Sequence, residues 1–274
     1  FFIKLIRKFG YEIIDQATFY IPTKNLDADQ NLSEGGKTSI TIPIGKTPIT
    51  RKIKSLTIII RSYTFGDAEN NKVMLDQNKM RIFNLPKIEY TLRTIKSIVN
   101  SCEKAKKFFN DVEIKIIVTD DKSKDENLNK INQILQNSKL ETKIISLKED
   151  EFNKDIKILD TKGKNISNNM ISNMRNILKS IEIAETGNSD LYYFLEDDYI
   201  HEKNAISEML FTYEKISSQL NREIFLCPAD YPYLYSTIDP SKIFFGNMRH
   251  WRTVNKTLIT FLTSKKMITK YLNE

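Results

Sequence analysis

Five consecutive apolar residues, Leu191-Tyr192-Tyr193-Phe194-Leu195, end abruptly in Glu196-Asp197-Asp198. A run this short, rich in aromatics and preceded by Gly187-Asn188-Ser189-Asp190, reads as a strand buried on both faces. Such strands belong to parallel sheets covered by helices. In those sheets ligands sit beyond the carboxyl ends of the strands. Three adjacent carboxylates there repel one another unless a cation sits among them, which points to a hard divalent ion held by oxygen ligands. The plainer alternative is a solvated acidic turn.

The same grammar recurs along the chain. Leu56-Thr57-Ile58-Ile59-Ile60 is a β-branched run, and Val112 to Val118 is another that closes on Asp120-Asp121. Further strands are expected over Lys143–Leu147, Glu223–Cys227 and Leu258–Leu262. Helical spacing fills the gaps: Ile88, Leu92, Ile95, Val99, Cys102, Ala105 and Phe109 after Pro86, then Leu128, Ile131 and Leu135 behind a capping box of Ser123 and Glu126. Met170, Met174, Ile177, Leu178 and Ile181 follow, stopped at Gly187, and Asn204 opens a helix bearing Ile206, Met209, Leu210, Tyr213 and Ile216. A terminal helix follows the last strand. Strand alternating with helix means an α/β fold, a mostly parallel central sheet flanked by helices.

Residues 1–54 read as a small N-terminal appendage, a short helix and an edge strand over Thr38–Ile44, with 55–274 as the main domain. No stretch approaches eighteen apolar residues, so nothing spans a membrane. Phe1 to Lys8 lacks the core and cleavage site of a secretion signal, and it packs on the domain or rests on a membrane. Cys102 and Cys227 lack metal-ligand spacing and read as small core residues in a reducing compartment. The expected location is cytoplasmic, with the basic N-terminus offering a peripheral contact to the inner membrane surface. The formal charge of +7 comes without a basic stripe interleaved with aromatics, which argues against nucleic acid as a partner.

In a parallel sheet Asp120-Asp121 and Glu196-Asp197-Asp198 would open onto one edge and share a cleft. Carboxylates with Mg²⁺ or Mn²⁺ suit a substrate bearing a diphosphate. Four segments, in order, resemble the glycosyltransferases of the GT-A fold, family 2-like enzymes built on a Rossmann-like nucleotide-diphospho-sugar transferase fold. Ile58 to Tyr63 is similar to their first strand and turn; Asp120-Asp121-Lys122-Ser123-Lys124-Asp125 resembles their second-strand signature. Met174-Arg175-Asn176 is similar to the Arg-Asn pair on the helix before the metal strand, and Glu196-Asp197-Asp198 resembles the Asp-x-Asp element in a Glu-Asp-Asp variant. The resemblance implies that Asp120 or Asp121 hydrogen-bonds the nucleobase, with Arg61, Ser62 and Tyr63 lining the nucleoside pocket. It further implies that Arg175 braces the pocket or meets the nucleotide, that Glu196 and Asp197 sit near ribose and donor sugar, and that Asp198 ligates the metal. The partners it implies are a nucleotide-diphospho-sugar donor, a UDP-sugar favoured, and a glycan or lipid-linked acceptor.

Three departures stand out. Lys122 replaces the family's usual Gly, and a polar stretch of about twenty residues follows Tyr63, long for a compact domain. Within it, Met74 to Asn84 reads as a lid over the donor. The family's Glu-Asp base element has no counterpart before Glu274. The catalytic candidates are Asp230, which follows a strand end, and His250. Asp230 reads equally as an Asx-turn before Pro232, and His250 as a structural histidine. Trp251 with Tyr231, Tyr233 and Tyr235 offers an acceptor platform, while His201 is expected to be exposed. The reading is a metal-dependent glycosyltransferase. Its rivals are a nucleotidyltransferase, weakened by the lack of a Gly-rich phosphate loop, and a non-catalytic nucleotide- or glycan-binding module.

Overall fold

A computed structural model describes residues 9, 39–42, 45–64, 85–148, 151–154, 156, 163, 165–166, 168–229, 231–235 and 240–271. The helix expected over Phe1–Lys8, the lid expected over Met74–Asn84 and the candidate base Asp230 lie outside the described residues.

Six strands form the central sheet. They are β3 (Ser55–Ser62), β4 (Glu113–Asp120), β5 (Glu141–Ser146), β6 (Leu191–Glu196), β7 (Phe225–Leu226) and β10 (Phe261–Ser264). Their order is β5-β4-β3-β6-β10-β7, with β3, β4, β5 and β6 parallel and β10 antiparallel to both neighbours. The α/β class and the mostly parallel sheet are therefore those expected. Helices α1 (Lys87–Ala105), α2 (Asp125–Gln136), α3 (Asn168–Thr186), α4 (Ala205–Leu220) and α5 (Lys265–Tyr271) cover it. Two small hairpins, β1 (Ser39–Ile42) with β2 (Gly45–Pro48) and β8 (Ile243–Phe245) with β9 (His250–Arg252), and a 3₁₀ turn over Pro232–Tyr235 complete the described elements.

Side-chain alternation divides the core between the two faces of the sheet. Ile58, Ile60, Tyr193 and Leu195 point to the larger cluster, built with Ile95 and Ile98 of α1, Ile131 of α2 and Leu210 of α4. Ile59, Tyr192 and Phe194 point the other way, onto Ala184 of α3 and Ile268 of α5. Gly187 lets Tyr192 close against the end of α3, since a Cβ there would meet the Tyr192 hydroxyl at 2.5 Å. Lys265 then donates to the carbonyls of Ala184 and Gly187, satisfying the open end of that helix.

Residues just ahead of β3 belong to this packing. Ile49 and Ile53 are buried in the larger cluster, the amides of Thr50 and Arg51 donate to Ser218 Oγ, and Ile53 N–H donates to Glu214. Arg51 bridges Asp190 at 2.6 Å and Glu223 at 2.9 Å, so one guanidinium joins the starts of β6 and β7 to β3.

Three local expectations shift. The last strand covers Phe261–Ser264 rather than Leu258–Leu262, because its register is set by β6, Phe261 opposite Phe194; Leu258 and Ile259 stay exposed. The strand expected over Glu223–Cys227 is two residues long at the sheet edge. The capping box does not form. Ser123 Oγ donates to Asp120 instead, Glu126 pairs with Lys130, and α2 opens at Lys124 without a side-chain cap.

Candidate functional site

β3 holds the site in register. Arg61 lies opposite Glu196 on β6, and Ser62 opposite Asp120 on β4. Both acidic clusters therefore end on the same edge of the sheet, one on each side of Arg61-Ser62-Tyr63. This is the shared edge that the strand order demands.

The first cluster is sealed. Asp120 and Asp121 are each 1% exposed. Asp120 accepts from the Ser123 amide at 3.0 Å and its hydroxyl at 2.5 Å. Burial holds its carboxyl above the usual carboxylate range, with the Ser123 hydrogen bonds pulling it back. Asp121 faces the guanidinium of Arg175, Nη1 to Oδ1 at 3.4 Å. Arg175 is 2% exposed, not on the polar surface of its helix, and it also donates to the carbonyls of Glu151 and Lys148. Oδ2 of Asp121 is buried without a hydrogen-bond partner. Burial, and then the charge of Asp121, pushes up the Tyr63 hydroxyl. Asn176, next to Arg175, donates to the Ser62 carbonyl at 3.0 Å and fixes the turn after β3. Lys122 adopts φ +69°, the left-handed conformation glycine favours, so the turn keeps that form with a lysine in place.

The second cluster is divided. Asp197 turns inward: Oδ1 meets Lys87 Nζ at 2.6 Å, and Oδ2 accepts from Thr91 Oγ1 at 2.8 Å and from the Tyr63 amide at 3.4 Å. Both partners of the Lys87–Asp197 ion pair are 7% exposed. Glu196 pairs with Arg61 at 3.0 Å with its side chain 39% exposed, and burial still holds its carboxyl above the usual range. Asp198 is 41% exposed and lies 3.7 Å from Lys87.

Contrary to the expectation of a metal ion alone, the three adjacent acids draw positive charge from within the chain, from Lys87 and Arg61. Lys87 carries no sequence signal; it is the first residue of an amphipathic helix 110 positions before its partner. Nor did the sequence foretell Thr91 as a ligand of Asp197.

A divalent ion still fits, in one manner only. Asp198 presents an exposed carboxylate at the carboxyl end of β6, with Glu196 beside it. One or two carboxylates plus phosphate oxygens is how Mg²⁺ is held when the substrate brings the phosphates, and Mn²⁺ takes the same donor type. A ready-made protein cage is not what the described residues offer: among them, no group of three His, Cys, Asp or Glu side chains is placed to hold an ion.

Beyond the acids lies a broad groove of about 1560 Å³, lined by Tyr199, His201, Tyr235, His250 and Trp251 among others. Glu196, Asp197 and Asp198 do not line it, although Tyr193 and Tyr199 on either side of them do. His250 is exposed on β9 with its ring 5.0 Å from that of Phe245. Trp251 turns inward and its indole N–H donates to Glu208 at 3.0 Å, so it anchors the hairpin rather than standing free beside the tyrosines. Tyr231 shares a hydroxyl hydrogen bond with Tyr199, while Tyr235 is 65% exposed under the Arg252 guanidinium. His201 is not an exposed turn residue. It is half-buried, its Nδ1 3.0 Å from the Tyr199 carbonyl and Nε2 2.8 Å from the Tyr193 hydroxyl, and burial lowers its pKa from 6.5 to about 4.

No known protein family and no curated protein matches the chain. Among solved structures it aligns with core-mannan synthase A from Aspergillus fumigatus in its Mn/GDP form, at 9% identity and a TM-score of 0.28. The alignment covers 72% of this chain and 45% of that one, so the chain spans under half of that protein's length. At that score the match says nothing about this chain's chemistry. No helix among the described residues is long and apolar enough to cross a membrane.

Proposed function

We propose that this chain is a metal-dependent glycosyltransferase that moves a sugar from a nucleotide diphosphate to a hydroxyl of a glycan or lipid-linked acceptor. The observation that carries the reading is the alignment of two acidic clusters across the end of β3, one holding a buried acceptor oxygen without a partner and the other an exposed carboxylate. In this reading Asp121, rather than Asp120, meets the nucleobase. An ionised carboxylate only accepts, and a single open oxygen suits the single ring N–H of uracil, which favours a UDP-sugar. Arg175 braces Asp121 against the carbonyls of Glu151 and Lys148. The turn Arg61-Ser62-Tyr63, tied down by Asn176, lines the nucleoside pocket. Glu196 faces the ribose and donor sugar. Asp198 is the metal ligand, and the ion, Mn²⁺ or Mg²⁺, neutralises charge on the departing diphosphate when bound. Asp197 serves the site indirectly, by fixing Lys87 and the Tyr63 amide behind it. The groove beyond Tyr199 receives the acceptor, and His250 on its lining takes the hydroxyl proton, with Asp230 as the alternative from the sequence.

The test is release of nucleoside diphosphate from UDP-, GDP- and CDP-linked sugars with Mn²⁺. Turnover with a UDP-sugar, lost on Asp198→Ala, supports the transferase. Metal-dependent nucleotide binding without turnover means a binding module, and no nucleotide-sugar binding sinks both.

A further inference from the structure

The β8–β9 hairpin faces two ways. Phe244 and Trp251, opposite each other in register, turn toward the body, with the indole on Glu208 of α4. By alternation Ile243, Phe245, His250 and Arg252 form the outer face. Ile243 is 70% exposed, Phe245 66% and Met248, at the turn, 62%. These side chains are presented on a rigid mount. One carboxylate of Glu208 accepts the amides of Asn247, Met248 and Arg249 at 3.0, 2.6 and 3.3 Å, and Lys215 donates to the Gly246 carbonyl. Gly246 permits this seating, since a Cβ there would collide with Glu208 and with Trp251.

The charge around this face is one-sided. From Pro240 to Lys256 the sequence holds four Lys and Arg and not one Asp or Glu, with Asp239 just before it. Lys242 and Lys256 are exposed on the hairpin and the loop after it, and Arg252 lies on the outer face itself. Arg249 is set against Glu202 at 2.7 Å and adds less.

We propose that the outer face of the β8–β9 hairpin docks on an anionic bilayer surface, with Ile243, Phe245 and Met248 entering the headgroup boundary and Lys242, Arg252 and Lys256 meeting the lipid phosphates. Exposed aliphatic and aromatic tips ringed by cations are what an interfacial anchor requires. A nucleic acid would use the charge but has no use for the aliphatic tips. A second copy of the chain would bring like charge against like charge. The inference does not rest on the glycosyltransferase reading and is tested without turnover.

The test is co-sedimentation of the full chain with vesicles of phosphatidylcholine alone or mixed with phosphatidylserine. Binding is expected only to the mixed vesicles. It should fall on the order of tenfold or more for Ile243→Ser with Phe245→Ser, and about twenty-five-fold for Lys242→Gln with Lys256→Gln, near fivefold per charge. Thermal melting of both double variants should match wild type, since the changed side chains are exposed. The proposal is overturned by equal binding to neutral vesicles, by no binding, or by indifference to the apolar double variant. A stable dimer dispersed by that variant also overturns it, because the face would then be covered by another copy.

Discussion

Asp120-Asp121 and Glu196-Asp197-Asp198 lie level across β3, but burial treats them differently. In the first pair both acids are sealed, one held by Ser123 and the other by Arg175. In the triplet only the middle acid is sealed, by Lys87, and its neighbours face outward. Each cluster thus contains one carboxylate neutralised inside the fold by a cation from a helix distant in sequence. What differs is what remains: a buried oxygen without a partner on Asp121 and an exposed carboxylate on Asp198. Recognition needs a dry, fixed wall, whereas metal exchange needs access, and the proposed tasks of the two clusters divide along that line.

The largest effect that could break this comparison is on the sealed pairs. Lys87→Met should lower stability by about 3–5 kcal/mol, because it leaves the Asp197 charge buried and unpaired. Lys87→Met combined with Asp197→Leu should recover most of that loss in urea unfolding. If Lys87→Met alone is harmless, Asp197 is not sealed as described. Asp198→Ala should do the reverse. It should leave the free energy of urea unfolding within about 0.5 kcal/mol of wild type while reducing sugar-nucleotide turnover about a hundredfold or more, as loss of an electrostatic group in a transition state does.

A smaller effect separates the two sides by pH. His201, beside the triplet, has its pKa lowered from 6.5 to about 4 by burial. On acidification the unfolded chain binds that proton first, so its contribution is whole above pH 6.5 and is lost as pH falls to about 4. Asp120 and Glu196 run the other way. Held above their ordinary 3.8 and 4.5, they cost stability as pH rises from those values through the folded ones. His201→Gln should therefore flatten the fall in urea midpoint between pH 7 and 4.5. The smallest change is at Lys122, whose φ of +69° is strained for a side chain. Lys122→Gly should stabilise by up to about 1 kcal/mol, part of the left-handed penalty being returned as glycine's greater unfolded freedom.

Most of the fold was legible because its strands are short apolar runs with clear punctuation. β3 and β6 announce themselves by Ile58-Ile59-Ile60 and Leu191 to Leu195, and burial on both faces removes the ambiguity of side. The C-terminal third was less so. β7 and β10 pair over only two residues, and a five-residue apolar run such as Leu258–Leu262 does not say where pairing begins. The acids were visible as a pattern, but their inequality was not. Which of three adjacent carboxylates faces inward depends on Lys87 and Thr91, a helix 110 and 106 residues away, and no local spacing encodes that contact. His201 fails for a related reason, as its partners are the hydroxyl of Tyr193 and a carbonyl of its own turn. Lys122 is the opposite case: a lysine stands where the family has glycine, yet its backbone takes the left-handed conformation that glycine favours.

The central claim is that the clusters form one donor cleft with separate tasks, base recognition at Asp121 and metal binding at Asp198. Calorimetric titration of UDP with and without Mn²⁺ tests it most directly, on wild type, Asp121→Asn and Asp198→Ala. The account predicts tighter UDP binding with Mn²⁺ in wild type, loss of that Mn²⁺ enhancement alone in Asp198→Ala, and weaker UDP binding with or without Mn²⁺ in Asp121→Asn. UDP affinity that is unchanged in both variants, or a Mn²⁺ enhancement that survives Asp198→Ala, would contradict it.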